Sequence, residues 1–199
     1  MENQHLVHRN TIDVLDAIYS RHAVRNYQPK QVDEDIIHQL LEAANHAPSA
    51  LHEDSRAFTI IQSRKLLDRI SVSAKELTEK ENTEADLQRQ RVLQVVQQEE
   101  FNIFYNAPAL IVICRRFDGP FVEADCWLAA ENIMLAALSF GLASCVIGFS
   151  VGALNLPKWK QELGIPQDMA AVAPIILGWP AEHTLPAQHQ APNILKWLK

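Results

Sequence analysis

The sequence predicts an α+β fold of layered helices and strands, and three observations carry that prediction. Helical segments outnumber strand-like runs and separate them irregularly, a pattern of α+β layers. Ala109–Cys114 (Ala-Leu-Ile-Val-Ile-Cys) is an unbroken apolar run after Pro108, which suits a strand covered on both faces. Glu123–Phe140 is apolar almost all round, and a helix of that kind is buried within a large core or between subunits.

Taken in order, residues 1–10 are polar and read as a flexible N-terminal arm ahead of one domain spanning 11–199. A helix is expected from Ile12 to about Arg21. Asp33 is placed to cap a second helix, with Glu34 and Asp35 in its first turn, where carboxylates complement the exposed N–H groups. Ile36, Ile37, Leu40, Leu41 and Ala44 recur at helical spacing as a core-facing stripe. Pro48 ends this helix, because the residue before a proline is pushed out of helical geometry. Ala57–Gln62 is a short, β-branched strand candidate. Ser63 to about Tyr105 reads as helical, with a charged middle from Lys75 to Arg91 that is either a solvated helical hairpin or a mobile cap over a site. Gly141 is a natural C-cap for the buried helix. A strand over Ser144–Phe149, a helix from about Leu154 to Leu163 and a strand over Ala171–Leu177 follow. Pro180, Pro186 and Pro192, together with Trp197, make the last twenty residues an extended C-terminal arm laid over another surface.

With 199 residues, 48% of them apolar and 21% charged, the chain has ordinary globular composition and enough length for a substantial core. A formal net charge of −6 argues against a nucleic-acid partner, which needs a broad basic surface. No membrane association is expected: the nearest candidate span, Trp127–Phe140, is too short and contains Glu131 and Asn132. The N-terminus lacks the apolar segment of a signal peptide, and Cys114, Cys126 and Cys145 form no metal-type pairing. They read as reduced thiols in a cytoplasmic protein.

Against that acidic background, Arg21-His22-Ala23-Val24-Arg25 concentrates two guanidiniums and an imidazole within five residues. Such a cluster can clamp a phosphate, since arginine offers a planar fork of donors to anionic oxygens. It is equally what a solvated helix C-terminus carries, where the dipole favours cations.

Set beside this cluster, several further segments occur in a recognisable order. A helix ends Leu41-Glu42-Ala43-Ala44-Asn45-His46-Ala47-Pro48-Ser49; Asn106-Ala107-Pro108 leads into the Ile/Val-rich strand. The buried helix runs into Gly141-Leu142-Ala143-Ser144-Cys145-Val146-Ile147-Gly148, and the last strand into Leu177-Gly178-Trp179-Pro180-Ala181-Glu182. From about Thr11 to the C-terminus the chain resembles the nitroreductase family of flavin enzymes. The resemblance implies a layered fold with a central mixed β-sheet, in a homodimer with FMN at the subunit interface. It implies that Arg21, His22, Ala23 and Arg25 hold the phosphate and ribityl chain. It implies too that Pro48, Ser49, Ala50 and His52 reach the flavin of the partner chain, and that Val146, Ile147 and Gly148 run beside the ring. The activity implied is NAD(P)H oxidation with reduction of a nitroaromatic or quinone, by hydride transfer in a ping-pong cycle in which NADH or NADPH and the acceptor use one site in turn. No residue of the chain is obligatory as acid or base, so no catalytic side chain and no metal ligand is expected.

The chain also departs from the family pattern. His52 stands where asparagine is common, and Asp54-Ser55-Arg56 where Gln-Pro-Trp is common, which bears on the electron acceptor. Pro186-Ala187-Gln188-His189-Gln190 lacks the usual arginines, leaving His189 to assist the phosphate only when protonated. A hydrogen bond to a charged group contributes about 1.5–3 kcal/mol, so losing one or two weakens binding about tenfold to several hundredfold. The second reading is therefore a flavin-binding or sensing module without efficient turnover.

A third reading comes from Gly148-Phe149-Ser150-Val151-Gly152, which has the form of a hydrolase nucleophile elbow, with Asp168, His183 and His189 downstream. Little chain remains after Ser150 to build the parallel sheet that motif requires. His52-Glu53-Asp54 is metal-like in composition but has no second histidine one helical turn away, and reads as a polar loop.

Overall fold

The computed structural model describes residues 9–50, 54–81, 94, 97–98, 100–182, 186 and 189–199. In chain order these form α1 (Val14–Ser20), α2 (Glu34–Asn45), β1 (Arg56–Ile61), α3 (Arg64–Glu81), β2 (Ala109–Arg115), α4 (Val122–Ser139), β3 (Ala143–Val146), α5 (Val151–Leu154), α6 (Pro157–Leu163) and β4 (Ala170–Gly178).

The sheet has the order β1-β2-β4-β3, with every neighbouring pair antiparallel. Among the described residues, the parallel component of the expected mixed sheet is the bridge from Ala23 to Ser144 of β3. β2 lies centrally and is buried from Ala109 to Cys114, as its unbroken apolar run requires. Strand alternation sends Leu110, Val112 and Cys114 to one face, against Leu67 and Ile70 of α3, Phe104, Leu154 and Trp159. Ala109, Ile111 and Ile113 face the other way, against Ile36, Ile37 and Leu40 of α2 and Ala129, Ala130 and Ile133 of α4. Each fully buried Leu or Ile contributes about 1.5–3 kcal/mol, so the two layers dominate stability.

Local signals explain most boundaries. Asp13 caps α1, its carboxylate accepting from the Leu15 N–H at 2.8 Å. Asp33 occupies the cap position of α2, but its side chain accepts no cap hydrogen bond; the first turn carries Glu34 and Asp35 instead. α4 ends in a Schellman turn: Gly141 adopts φ 72°, its N–H reaches the Leu138 carbonyl at 3.0 Å, and the Leu142 N–H reaches Ala137 at 3.0 Å.

Three expected segments are cut differently. The long helical stretch from Ser63 is α3 only as far as Glu81, and 101–106 forms turns rather than helix. Much of the charged segment, 82–93, lies outside the described residues, as do most of the N-terminal arm, His52 and His183. The strand from Ser144 stops at Val146 and continues as a 3-10 turn over Gly148–Ser150. The helix expected from about Leu154 to Leu163 starts only at Pro157, as α6, because proline lacks the N–H to continue the preceding α5 and suits the first turn of a new helix. The arm from 189 to 199 has no regular structure and is exposed throughout.

Candidate active site

The basic segment leaves α1 at Arg21 and passes along β3. Ala23 bridges Ser144, and the Val24 N–H donates to the Ser144 carbonyl at 3.1 Å, so the segment is extended and its side chains alternate. His22 and Val24 line one cavity of about 410 Å³, together with Leu142, Pro180 and Glu182. Arg25 lines a second cavity of about 400 Å³, with Phe101, Tyr105, Cys145, Val146, Ile147, Gly148 and Phe149. Residues 22–25 are thus strung between two cavities.

The second cavity gathers four predicted site residues, Arg25, Val146, Ile147 and Gly148. The Arg25 guanidinium lies 5.7 Å from the centre of the Tyr105 ring, which in turn meets Phe101 edge-on at 5.5 Å. Among the described residues Arg25 has no carboxylate partner. A side chain at Gly148 would meet nothing within 4 Å, so its backbone faces open space. Burial pushes the Cys145 thiol up against the pull of Arg25, and it behaves as an inert wall. Tyr27, buried beneath, donates to the Val24 carbonyl at 2.6 Å, and burial pushes its phenol up as well.

Other predicted residues are placed elsewhere. Arg21 turns to α4, where its Nε lies 3.0 Å from the Glu131 carboxylate. His22 donates from Nδ1 to the Ser20 carbonyl at 2.8 Å. Pro48, Ser49 and Ala50 follow α2 and line neither cavity within the single chain. Ala50 is held by the buried Asp125, whose carboxylate accepts from the Ala50 N–H at 3.1 Å and from the Ser55 hydroxyl at 2.8 Å. Arg56 ties the same loop down, donating to the carbonyls of Asp125 at 3.4 Å and Ala47 at 3.3 Å. His189 is exposed on the C-terminal arm.

Sequence reasoning missed Phe101, Tyr105 and Asp125. Asp125 left a signal, an acid inside an almost wholly apolar helix. The aromatics leave none, because the run from Ser63 to Tyr105 reads as helical throughout. In fact Tyr105 and Asn106 both take left-handed backbone, with φ 51° and 59°. That is uncommon for tyrosine and marks strain of the kind found at ligand sites.

The hydrolase arrangement is not assembled. Ser150 is fully buried and donates to the Ile147 carbonyl at 2.8 Å, so its hydroxyl is no exposed nucleophile. Among the described residues no His, Cys, Asp or Glu cluster could hold a metal ion, and no helix is long and apolar enough to cross a membrane. Asp54, from the metal-like triplet, pairs with Arg116.

The nitroreductase family model matches residues 18–179. The chain belongs to the nitroreductase family. It is 29% identical over 177 residues to a Methanothermobacter thermautotrophicus protein named "Putative NADH dehydrogenase/NAD(P)H nitroreductase", covering 86% of this chain and 80% of that one. A relative of the same name from Archaeoglobus fulgidus is 27% identical, covering 85% and 87%. Among solved structures, the chain is similar to a Bacteroides fragilis nitroreductase with bound FMN, at 27% identity and TM-score 0.80, covering 94% of this chain and 99% of that one. The family's α+β architecture accounts for the layered sheet and helices described above.

Proposed function

We propose that this nitroreductase-family chain is an FMN-dependent NAD(P)H oxidoreductase that works as a cytoplasmic homodimer and reduces nitroaromatics, quinones or similar acceptors. The observation that supports it most is the cavity shared by Arg25 and Val146–Gly148. It offers a guanidinium with no carboxylate partner among the described residues, backbone at Gly148 that faces open space, and aromatic walls, a lining suited to a flat, electron-accepting ring with polar edges. Those residues fit FMN. Arg25, expected on the phosphate and ribityl chain, shares the cavity of Val146–Gly148 and would instead hold the ring's polar edge, with Val146–Gly148 running beside it. Arg21, His22 and Ala23 would hold the phosphate and ribityl chain, with His189 assisting.

A bound flavin supplies reversible two-electron chemistry, so the chain itself needs to bind, orient and exclude water. Phe101, Tyr105 and Phe149 wall the cavity, and the donor and acceptor would occupy the remaining space in turn, which gives ping-pong kinetics. The dimer is supported by apolar surface the single chain leaves uncovered. Val14, Leu15, Ile18 and Tyr19 of α1, Phe121, and Trp127 and Leu128 of α4 are exposed. The arm presents Leu195 at 93% and Trp197 at 75% exposure. Exposed large apolar side chains gathered on neighbouring elements are the usual mark of association sites. Pro48, Ser49, Ala50 and His52 would reach the cofactor from the partner.

The test is the visible spectrum of purified protein, followed by oxidation of NADH or NADPH with menadione or a nitrofuran. Yellow protein with rapid turnover supports the reading. A bound flavin that stays oxidised leaves a binding module, and a colourless protein that takes up no FMN defeats both.

A further inference from the structure

We propose that Glu131 is an internal counter-anion that competes with the phosphate of FMN for Arg21, and so sets how tightly the protein holds its cofactor. The proposal rests on the reading that Arg21 serves the phosphate. Arg21 Nε lies 3.0 Å from Glu131 Oε1, yet this buried nitrogen makes no aligned hydrogen bond. The contact is therefore held by charge rather than by direction. Both side chains are partly exposed, at 33% and 43%, so the pair is weak and exchangeable. A phosphate monoester is nearly dianionic at neutral pH and carries three strong acceptor oxygens, so it displaces a single carboxylate.

The backbone that carries Glu131 stays in place when that happens. Its neighbour Asn132 donates to the Ala43 carbonyl at 2.9 Å, and Ala130 and Ile133 are fully buried, so this turn of α4 is fixed. The displaced carboxylate remains tethered within side-chain reach of the incoming anion and opposes it at that range. Arg25 faces the adjoining cavity rather than this pair, and residues 186–190 contain no arginine or lysine. Glu131 thus becomes an affinity determinant specific to the phosphorylated flavin.

The experiment titrates full-length apoprotein with FMN and with riboflavin, which has the same ring and no phosphate. Relative to the unaltered chain, Glu131→Gln and Glu131→Ala are each expected to bind FMN about two- to fivefold more tightly, the range of a partly exposed ion pair. Riboflavin affinity is expected to stay unchanged, and in an Arg21→Ala background the gain disappears. Thermal midpoints of the apoproteins check that each variant folds. If FMN outbinds riboflavin through Arg21 but both Glu131 variants bind FMN no more tightly, or more weakly, Glu131 orients Arg21 and the proposal is overturned while the phosphate reading stands. If the unaltered chain binds FMN no better than riboflavin, the phosphate reading itself falls, and the proposal with it.

Discussion

Ser55 donates its hydroxyl to Asp125 at 2.8 Å, and both side chains are buried. The other carboxylate oxygen takes the Ala50 N–H, so one acid on α4 closes the loop between α2 and β1. Removing it strands a buried hydroxyl and a backbone donor together. Asp125→Ala is expected to cost about 2–4 kcal/mol, read as a lower urea midpoint. Hydrogen exchange should quicken first at Ala50 and its neighbours.

Arg25 is expected to matter for flavin binding in its own right. Replacing Arg25 with Ala should weaken FMN about ten- to a hundredfold, the equivalent of one charge-assisted contact. Arg25→Lys should restore only part, since an ammonium lacks the planar fork and stacks poorly on Tyr105. Equilibrium titration of apoprotein checks both. Full FMN affinity in the Ala variant would remove Arg25 from the site.

Much of this architecture was legible in the sequence because it is written in short-range patterns. The continuous run Ala109–Cys114 suits a strand covered on both faces, and Gly141 marks the end of α4 within one residue. Signals that depend on distant partners were harder to see. Nothing local shows that Arg21 meets Glu131 across the α1–α4 contact, or that Arg25 alone reaches the cavity of Val146–Gly148. Tyr105 was hidden for a different reason: its left-handed backbone is imposed by its surroundings against its own preference. Whether Pro48–Ala50 approach a partner's cofactor is a property of two chains, which the periodicity of one cannot encode.

The cysteines give a pH prediction. Burial pushes the Cys114 thiol from 9.0 to about 11, and burial reinforced by Cys114 pushes Cys126 to about 12. The folded protein keeps these protons after the unfolded chain has released its own. Their stabilising contribution is therefore complete below pH 9 and declines as pH rises through 9 towards 11 and 12. At pH 8 the native thiolate fraction falls roughly a hundred- to a thousandfold below that of free cysteine. A colorimetric thiol reagent should find Cys114 and Cys126 silent in native protein and reactive in denaturant. Prompt native labelling of either would contradict their burial.

Gly178 closes β4 at a point where three segments converge. A Cβ there would stand 2.6 Å from Pro108 Cδ and 2.8 Å from Tyr27 Cδ1. Pro108 cannot swing aside, since its ring is part of the backbone entering β2. Tyr27 is pinned by its hydrogen bond to Val24, between the two cavity-lining residues His22 and Arg25. Even one methyl must therefore displace the basic segment or the start of the central strand. Gly178→Ala is expected to destabilise the protein by about 1–3 kcal/mol through overpacking. Because the strain falls on the residues beside Arg25, flavin affinity should drop along with the thermal midpoint. A Gly178→Ala protein of unchanged stability would show that the Pro108–Gly178–Tyr27 contact is looser than these distances require.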